Sequence, residues 1–261
     1  MISEETLMET TYYEQPYQKE KDYLQEMMLN DIYEEVDDSL VFKGGTALSK
    51  FYGSPRFSDD LDFALVKKSK KATDIIKERL DLIVSEKRFE YPIRTMRKIM
   101  DESKLNYELS IGGPLLGLLN RYQHLKIEVN MKDRVMLPTE TFRRDAKYPD
   151  IGPYIAVVMS RKEILAEKLH ALLFRHNAKA RDLFDLYFLI KDDTEIDASF
   201  INKKIGEQGR KFTTDAFIRR MNVIGGVWDK DLVRLIPKHH WVTYNDANAE
   251  LTDSLKKAGM L

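Results

Sequence analysis

The pattern of apolar and polar positions divides the chain into alternating helices and strands. A helix predicted over residues 4–15 precedes one over residues 17–36, in which Leu24, Met28 and Ile32 recur at helical spacing. Alternating or short apolar runs, bounded by polar or glycine-rich segments, predict strands at residues 39–43, 59–66, 89–99, 104–112 and 123–132. Helices are expected between these strands, at residues 46–53 and 69–87.

The second half of the chain has a helical pattern throughout. The predicted helices lie at residues 159–177, 180–190, 198–209, 214–228 and 248–261. A boundary is therefore expected between Asp150 and Pro153. The sequence predicts an α/β (α+β) domain with a mixed sheet over residues 1–150, followed by a helical C-terminal domain over residues 151–261.

The composition is typical of a globular protein, because 43% of the 261 residues are apolar and 33% are charged. The absence of cysteine excludes disulfides and thiolate zinc sites and favours a reducing compartment. No apolar run approaches the length of a membrane span, and the first ten residues lack the pattern of a signal peptide. The expectation is a cytoplasmic protein without membrane contact.

The charge is unevenly distributed, although the net charge is −1. Residues 1–40 contain twelve Asp and Glu against two Lys, a formal −10, and the remainder carries forty basic and thirty-one acidic residues, or +9. The excess of basic residues after residue 40 could allow this part of the chain to bind an anionic polymer. Two interpretations of the acidic segment remain, a solvated helical face or a built-in restraint that covers the basic surface.

The stretch "FKGGTALSKFYGSPRFSDDLDF", residues 42–63, carries a pair of aspartates with strand spacing. Side chains two residues apart in a strand point to the same side, so Asp60 and Asp62 share one face while the apolar residues between and after them enter the core. Asp59 points the other way and is not a candidate. Two carboxylates on a rigid strand can hold Mg²⁺ or Mn²⁺. The alternative is an exposed strand end with solvated aspartates.

The same stretch opens with a glycine turn before a helix. Gly44 and Gly45 allow the backbone to approach a phosphate closely, and Thr46 is expected to cap a helix whose N–H groups bind anions. The spacing differs from that of a P-loop. Taken alone, the turn is equally typical of a capped strand-to-helix connection. Joined to the aspartate pair, it indicates a site for a metal-bound nucleotide.

A third carboxylate lies on the predicted strand at residues 123–132. Leu125, Ile127 and Val129 alternate with Lys126 and Glu128. Glu128 is therefore the candidate that would complete a two-metal site. A Lys126–Glu128 ion pair on the surface is the alternative.

These motifs resemble the nucleotidyltransferases of the polymerase-β-like superfamily. The glycine turn, the short helix and "RFSDDLDF", together with "LKIEV" and "EILAEKLHALLFRHNAKARDLFDLYFL", more narrowly resemble the AbiEii toxin family, to which the MenT toxins are related. The resemblance covers about residues 40–190. It implies a polymerase-β-like nucleotidyltransferase domain followed by helices, with a nucleoside triphosphate (NTP) as substrate.

The resemblance also implies roles for residues on the helical segment. Lys168 and an aspartate after it, Asp182 or Asp185, match positions described as essential in AbiEii-like proteins. Lys168 would contact the β- and γ-phosphates, and the aspartate would orient it. From the residues alone, Arg181 and Asp185 also fit a surface ion pair. Arg56 is a further candidate for binding phosphate.

The function implied is a metal-dependent transfer of NMP from NTP to an acceptor, with the tRNA 3′ end as the expected acceptor. The protein would be the toxin of a toxin–antitoxin or phage-defence pair, with a cognate antitoxin. Alternatives are a nucleotidyltransferase that modifies a protein or small molecule, and a non-catalytic module that binds nucleotide or RNA. Basic residues expected to contact the tRNA backbone are Arg143, Arg144, Arg161, Lys162, Lys203, Lys204, Arg210, Lys211, Arg219 and Arg220.

Overall fold

The computed structural model describes residues 2–11, 13–66 and 69–261. Contacts divide the chain into two compact units, Met1–Thr46 with Asp59–Met159, and Ala47–Ser58 with Ser160–Leu261. The first unit thus ends later than the predicted boundary, because residues 154–158 form a strand of its sheet.

The first unit is built on a seven-stranded mixed sheet. Its strands are β1 (Leu40–Lys43), β2 (Leu61–Leu65), β3 (Ile93–Met100), β4 (Lys104–Ile111), β5 (Gln123–Asn130), β6 (Glu140–Arg144) and β7 (Tyr154–Val158). Their order across the sheet is β3-β4-β5-β2-β1-β7-β6. The pairs β1–β7 and β2–β5 are parallel, and the other neighbours are antiparallel. The mixed α/β fold expected from the sequence is confirmed.

Helices accompany this sheet along the chain. They are α1 (Glu4–Thr10), α2 (Pro16–Val36), α3 (Gly44–Phe51), α4 (Lys70–Glu90) and α5 (Leu116–Leu119). The predicted first helix ends at Thr10, and Tyr12 lies outside the described residues. Strands β6 and β7 were not predicted, because β6 is a short, polar edge strand and β7 has only five residues before a strongly helical segment.

The acidic segment forms part of the core of the first unit. Every residue of α2 from Gln18 to Leu29 is buried. Glu20 accepts hydrogen bonds from the backbone N–H of Leu115 and from Gln123, both at 2.7 Å. Glu26 is likewise bound by Arg144 and Tyr154, and Asp22 by Tyr148. These three carboxylates are therefore internal partners of strands and loops far away in the sequence and do not belong to a solvated face. Glu4, Glu5, Glu9 and Glu14 of the same segment are exposed, as a solvated face requires. A built-in restraint by this segment stays a prediction.

The second unit is helical. Its helices are α6 (Arg161–Phe174), α7 (Ala180–Lys191), α8 (Ala198–Gly206), α9 (Thr214–Gly225), α10 (Trp228–Leu232) and α11 (Tyr244–Lys257). Amphipathic spacing buries Leu165, Leu169 and Leu172 of α6, as the pattern predicted. Among the helices of the described ranges, none has the length and apolar character needed to cross a membrane.

Candidate functional site

The central strands of the first unit bring the predicted carboxylates to one face of the sheet. Asp60 directly precedes β2, Asp62 is the second residue of β2, and both side chains are half-buried. Asp62 is paired in register with Glu128 on the parallel strand β5 and with Lys43 on the antiparallel strand β1. Because paired residues in a sheet point to the same side, Asp62 and Glu128 share a face.

The start of α3 lies against Asp62. Gly44 has a φ of +78°, in the left-handed region that favours glycine. A Cβ atom at this position would lie 2.7 Å from Oδ2 of Asp62, so a side chain at residue 44 would collide with the carboxylate. Glycine therefore permits the helix start and the carboxylate to meet with no side chain between them.

Thr46 has a different structural role from the predicted one. The helix begins at Gly44, so Thr46 is its third residue and the prediction that it caps the helix is wrong. Thr46 is fully buried, and its Oγ1 donates a hydrogen bond of 2.5 Å to the backbone oxygen of Asp60. This bond ties the first turn of α3 to the backbone of Asp60.

Two lysines that were not predicted as site residues lie close to the carboxylates. The Nζ atom of Lys126 is 2.6 Å from Oε2 of Glu128. Burial alone lowers the pKa of Lys126, but the ion pair with Glu128 and the charges of Asp60 and Asp62 raise it overall. Lys21 of α2 donates a hydrogen bond to the backbone oxygen of His124, and its burial lowers its pKa despite the attraction of Asp59 and Asp60.

Only the position of Lys126 was visible in the sequence, through its spacing from Glu128. The ion pair predicted as the alternative role of Glu128 is present. It is half-buried in the field of two further carboxylates, however, rather than fully exposed. The sequence did not indicate that Lys21 lies near the carboxylates, because its proximity to Asp60 depends on how α2 packs.

The carboxylates fit a divalent cation as a partial ligand set. In the part of the chain that the structure describes, no three His, Cys, Asp or Glu side chains are grouped as metal ligands. Mg²⁺ needs fewer, because it commonly takes one or two protein carboxylates and completes its shell with water and substrate phosphates. Asp60 and Asp62 supply oxygen ligands of this kind, and Glu128 on the same face is already bound by the Lys126 ammonium.

The second unit contains a buried cluster of charges around Asp185. Both oxygens of this fully buried carboxylate bind Arg56, at 2.7 Å from Nε and 2.9 Å from Nη2, and Oδ2 lies 2.6 Å from Nζ of Lys168. Burial alone would raise the pKa of Asp185, but the charges of Arg56 and Lys168 lower it to about 2. Asp185 is therefore the aspartate that holds Lys168, which the sequence left undecided between two residues.

Asp182 is buried beside the same lysine but is held less closely. Its Oδ1 is 3.6 Å from Nζ of Lys168, and its Oδ2 is 3.3 Å from Nη1 of Arg175. Within the described residues, neither oxygen has a partner with hydrogen-bond geometry. Asp182 therefore adds negative charge to the cluster but does not hold Lys168 or Arg175 in a hydrogen bond.

Arg56 is placed differently from a phosphate-binding loop residue. Its side chain is 2% exposed, and Nη1 also donates to the backbone oxygen of Phe57 at 2.8 Å. The alternative of a surface ion pair between Arg181 and Asp185 is wrong, because Asp185 is fully buried and bound by Arg56 and Lys168. Arg56 is therefore a buried partner of Asp185 and not an exposed loop cation.

The sequence also matches the model of a known protein family. The model for the nucleotidyl transferase AbiEii toxin of a type IV toxin–antitoxin system matches residues 29–242. The chain belongs to the AbiEii nucleotidyltransferase toxin family. The resemblance found in the motifs is confirmed, and the protein is a nucleotidyltransferase. Membership implies an NTP substrate and a cognate antitoxin.

Solved structures share the fold of this AbiEii protein. The nucleotidyltransferase toxin MenT4 of Mycobacterium tuberculosis is 21% identical with a TM-score of 0.64, over 94% of this chain and 84% of MenT4. JHP933 of Helicobacter pylori is 20% identical with a TM-score of 0.52, over 99% of this chain and 93% of JHP933. At these identities the likeness concerns the fold. No curated protein matches the sequence.

Six of the ten basic residues expected to contact RNA bind acidic side chains or backbone oxygens of the AbiEii chain. Lys204 is buried against Glu163 at 2.6 Å, and Arg144 binds Glu26 at 2.7 Å. The other four are Arg143, Arg161, Lys162 and Arg220, of which Arg143 forms its ion pair on the exposed surface. The exposed members of the set are Arg143, Lys203, Arg210, Lys211 and Arg219. The number of basic residues in the sequence is therefore larger than the number of basic side chains that face solvent.

Proposed function

We propose that the protein transfers NMP from an NTP to the 3′ end of tRNA, with Mg²⁺ or Mn²⁺ held by Asp60 and Asp62. The observation that carries the proposal is the contact between the glycine start of α3 and the carboxylate of Asp62. Phosphates bind at helix N-termini, and divalent cations join phosphates to carboxylates. The segment from Gly44 to Asp62 thus offers backbone N–H groups for the phosphates and a carboxylate for the metal ion.

The residues have separate tasks in the proposed reaction. The acceptor hydroxyl attacks the α-phosphorus, the bond to the bridging oxygen breaks, and pyrophosphate leaves. A bound divalent cation supplies charge stabilisation to this transfer. Gly44, Gly45 and the backbone of Thr46 bind phosphate oxygens, and Lys168 supplies a positive charge for the triphosphate. Glu128 was predicted as a third metal ligand, and its ion pair with Lys126 argues against that role.

The buried carboxylate of Asp185 fixes the direction of the Lys168 side chain before phosphate binds. The Nζ atom is 2.6 Å from Asp185, and the side chain is 11% exposed. Such an ammonium loses little conformational freedom when it binds a phosphate, because its direction is already set by an ion pair. Asp185 and Arg56 are positioning residues in this proposal, and Asp182 adds negative charge beside the lysine.

The acceptor is proposed from family membership and from the exposed cations. Arg210, Lys211 and Arg219 are exposed on the second unit, and Arg143 on the first. Exposed Arg and Lys bind a nucleic-acid backbone mainly by charge, so this binding weakens as salt is added. Extension of the tRNA 3′ end would prevent aminoacylation and arrest growth, which suits a toxin.

The position of the label in the NTP tests the proposed chemistry. The protein is incubated with Mg²⁺, total tRNA and each NTP, labelled with ³²P at either the α- or the γ-phosphate. The proposal predicts tRNA labelled from the α-position only, because NMP is transferred and the γ-phosphate leaves in pyrophosphate. Asp60→Asn serves as the inactive control.

The other outcomes identify the alternatives. Asp60-dependent α-label on protein or on a small molecule would keep the reaction and replace the acceptor. Label from the γ-position would indicate phosphoryl transfer and contradict the proposal. A folded protein that binds RNA and labels nothing would be a binding module.

A further inference from the structure

Lys126 and Glu128 form an ion pair at the edge of the carboxylate face. They lie two residues apart on β5, and Nζ of Lys126 is 2.6 Å from Oε2 of Glu128. The two side chains are 26% and 25% exposed, so solvent screens the pair only in part. Lys126 thus binds the Glu128 carboxylate, which a two-metal site would need as its third carboxylate ligand.

The ammonium of Lys126 also lies in the field of the other two carboxylates. Asp62 is the register partner of Glu128 on the neighbouring strand, and the side chain of Asp60 is close enough to affect Lys126. The ammonium of Lys126 therefore contacts Glu128 directly, and the charges of Asp60 and Asp62 lie near enough to attract it.

The charges around this face favour one divalent cation over two. Lys126 neutralises the charge of Glu128, and Lys21, which Asp59 and Asp60 attract, further reduces the negative charge that is left for metal. A second ion in a two-metal site lies about 3.5–4 Å from the first. It would have to bind Glu128, whose charge Lys126 already neutralises, and it would be repelled by the ammonium as well as by the first ion.

We propose that Lys126 is a built-in cation that replaces the second metal ion of this site. Asp60 and Asp62 hold one divalent cation, and Glu128 is held by Lys126 instead of by metal. The inference rests on the proposed function, because it takes Asp60 and Asp62 as the ligands of the first ion. Lys126 acts as a positioning residue, and nucleotidyl transfer proceeds with a single divalent cation per chain.

Counting bound Mn²⁺ tests the proposal without measuring activity. The full chain is titrated with Mn²⁺, free ion is followed by electron paramagnetic resonance, and Asp62→Asn defines the ions that belong to the site. Wild type is expected to bind one such ion. Lys126→Met, which keeps the aliphatic stem and removes the charge, should bind two, with the first about tenfold tighter. Adding Glu128→Gln to Lys126→Met should return the count to one.

A matched control is available on the other side of the sheet. Lys98 pairs with Asp81 at 2.6 Å, is 27% exposed, and shares a register row with Tyr107 and Ile127, on the face opposite Glu128. Lys98→Met removes the same charge and should leave the Mn²⁺ count at one. Circular dichroism of each variant checks that the chain is folded.

Three results would overturn the role of Lys126. The first is a wild-type protein that binds two ions, one of them lost in Glu128→Gln. The second is a Lys126→Met variant that still binds one ion, lost in Asp62→Asn, and this would leave the proposed metal site intact. The third is the absence of Asp62-dependent binding in every variant, which would contradict the proposed metal site as well.

Discussion

Replacing Asp62 by Asn is expected to lower the rate of nucleotidyl transfer about 10³-fold, because the variant loses the charge that we propose holds the divalent cation. The amide has nearly the same shape as the carboxylate, so it fits the space beside Gly44, where a Cβ atom would come within 2.7 Å of the Oδ2 position. The fold should therefore be retained. The measurement is the initial rate of α-³²P incorporation, with the thermal unfolding midpoint recorded on the same samples.

Asp59→Asn is the matched control for this variant. Asp59 is the neighbouring carboxylate in the sequence, its side chain is exposed, and its backbone oxygen accepts a hydrogen bond from Gln25. Removing its charge should change the rate less than about threefold, since its side chain is exposed and is not a ligand in the proposed metal site. Equal losses in the two variants, or an active Asp62→Asn protein, would contradict the assignment of the metal-binding carboxylates.

Asp185→Asn is expected to lower the free energy of unfolding by about 3–5 kcal/mol, because it removes the buried carboxylate that Arg56 and Lys168 contact most closely. Arg56 is 2% exposed and Lys168 is 11% exposed, so water cannot replace the carboxylate. Chemical denaturation of wild type and variant measures the difference. Residual activity of the folded variant should also fall, since Lys168 loses the group that sets its direction.

The stability difference between wild type and Asp185→Asn should depend on pH. The folded-state pKa of Asp185 is about 2, below the ordinary value of 3.8. A depressed pKa contributes stability above the unfolded value and loses it as pH falls, so the difference should be constant above pH about 4 and shrink toward pH 2. Asp192→Asn, which removes the exposed partner of Arg161, should cost less than about 1 kcal/mol. Equal costs would contradict a buried role for Asp185.

Local rules predicted which carboxylates lie on the same face of the sheet. Strand periodicity alone placed Asp60 with Asp62 and gave Glu128 the polar side of its strand. The register between β2 and β5 then brings Asp62 and Glu128 side by side. That step required knowing which strands are neighbours, and the sequence does not state strand order.

Long-range pairing explains what the sequence could not predict. Arg56 and Asp185 are separated by 129 positions, so a loop arginine that suggested phosphate binding is a buried partner of a helix residue. Buried carboxylates of α2, such as Glu20, accept hydrogen bonds from donors about a hundred positions away. A charge count along the chain cannot distinguish such buried, paired groups from solvated ones.

The mass of the tRNA 3′ fragment tests the central claim most directly. Total tRNA is treated with the protein, Mg²⁺ and an NTP, then digested with a base-specific ribonuclease and analysed by mass spectrometry. The account predicts that 3′-terminal fragments gain the mass of one or more NMP residues with wild type and not with Asp62→Asn. Unchanged 3′ fragments, in a reaction where wild type consumes NTP, would contradict transfer to the tRNA 3′ end.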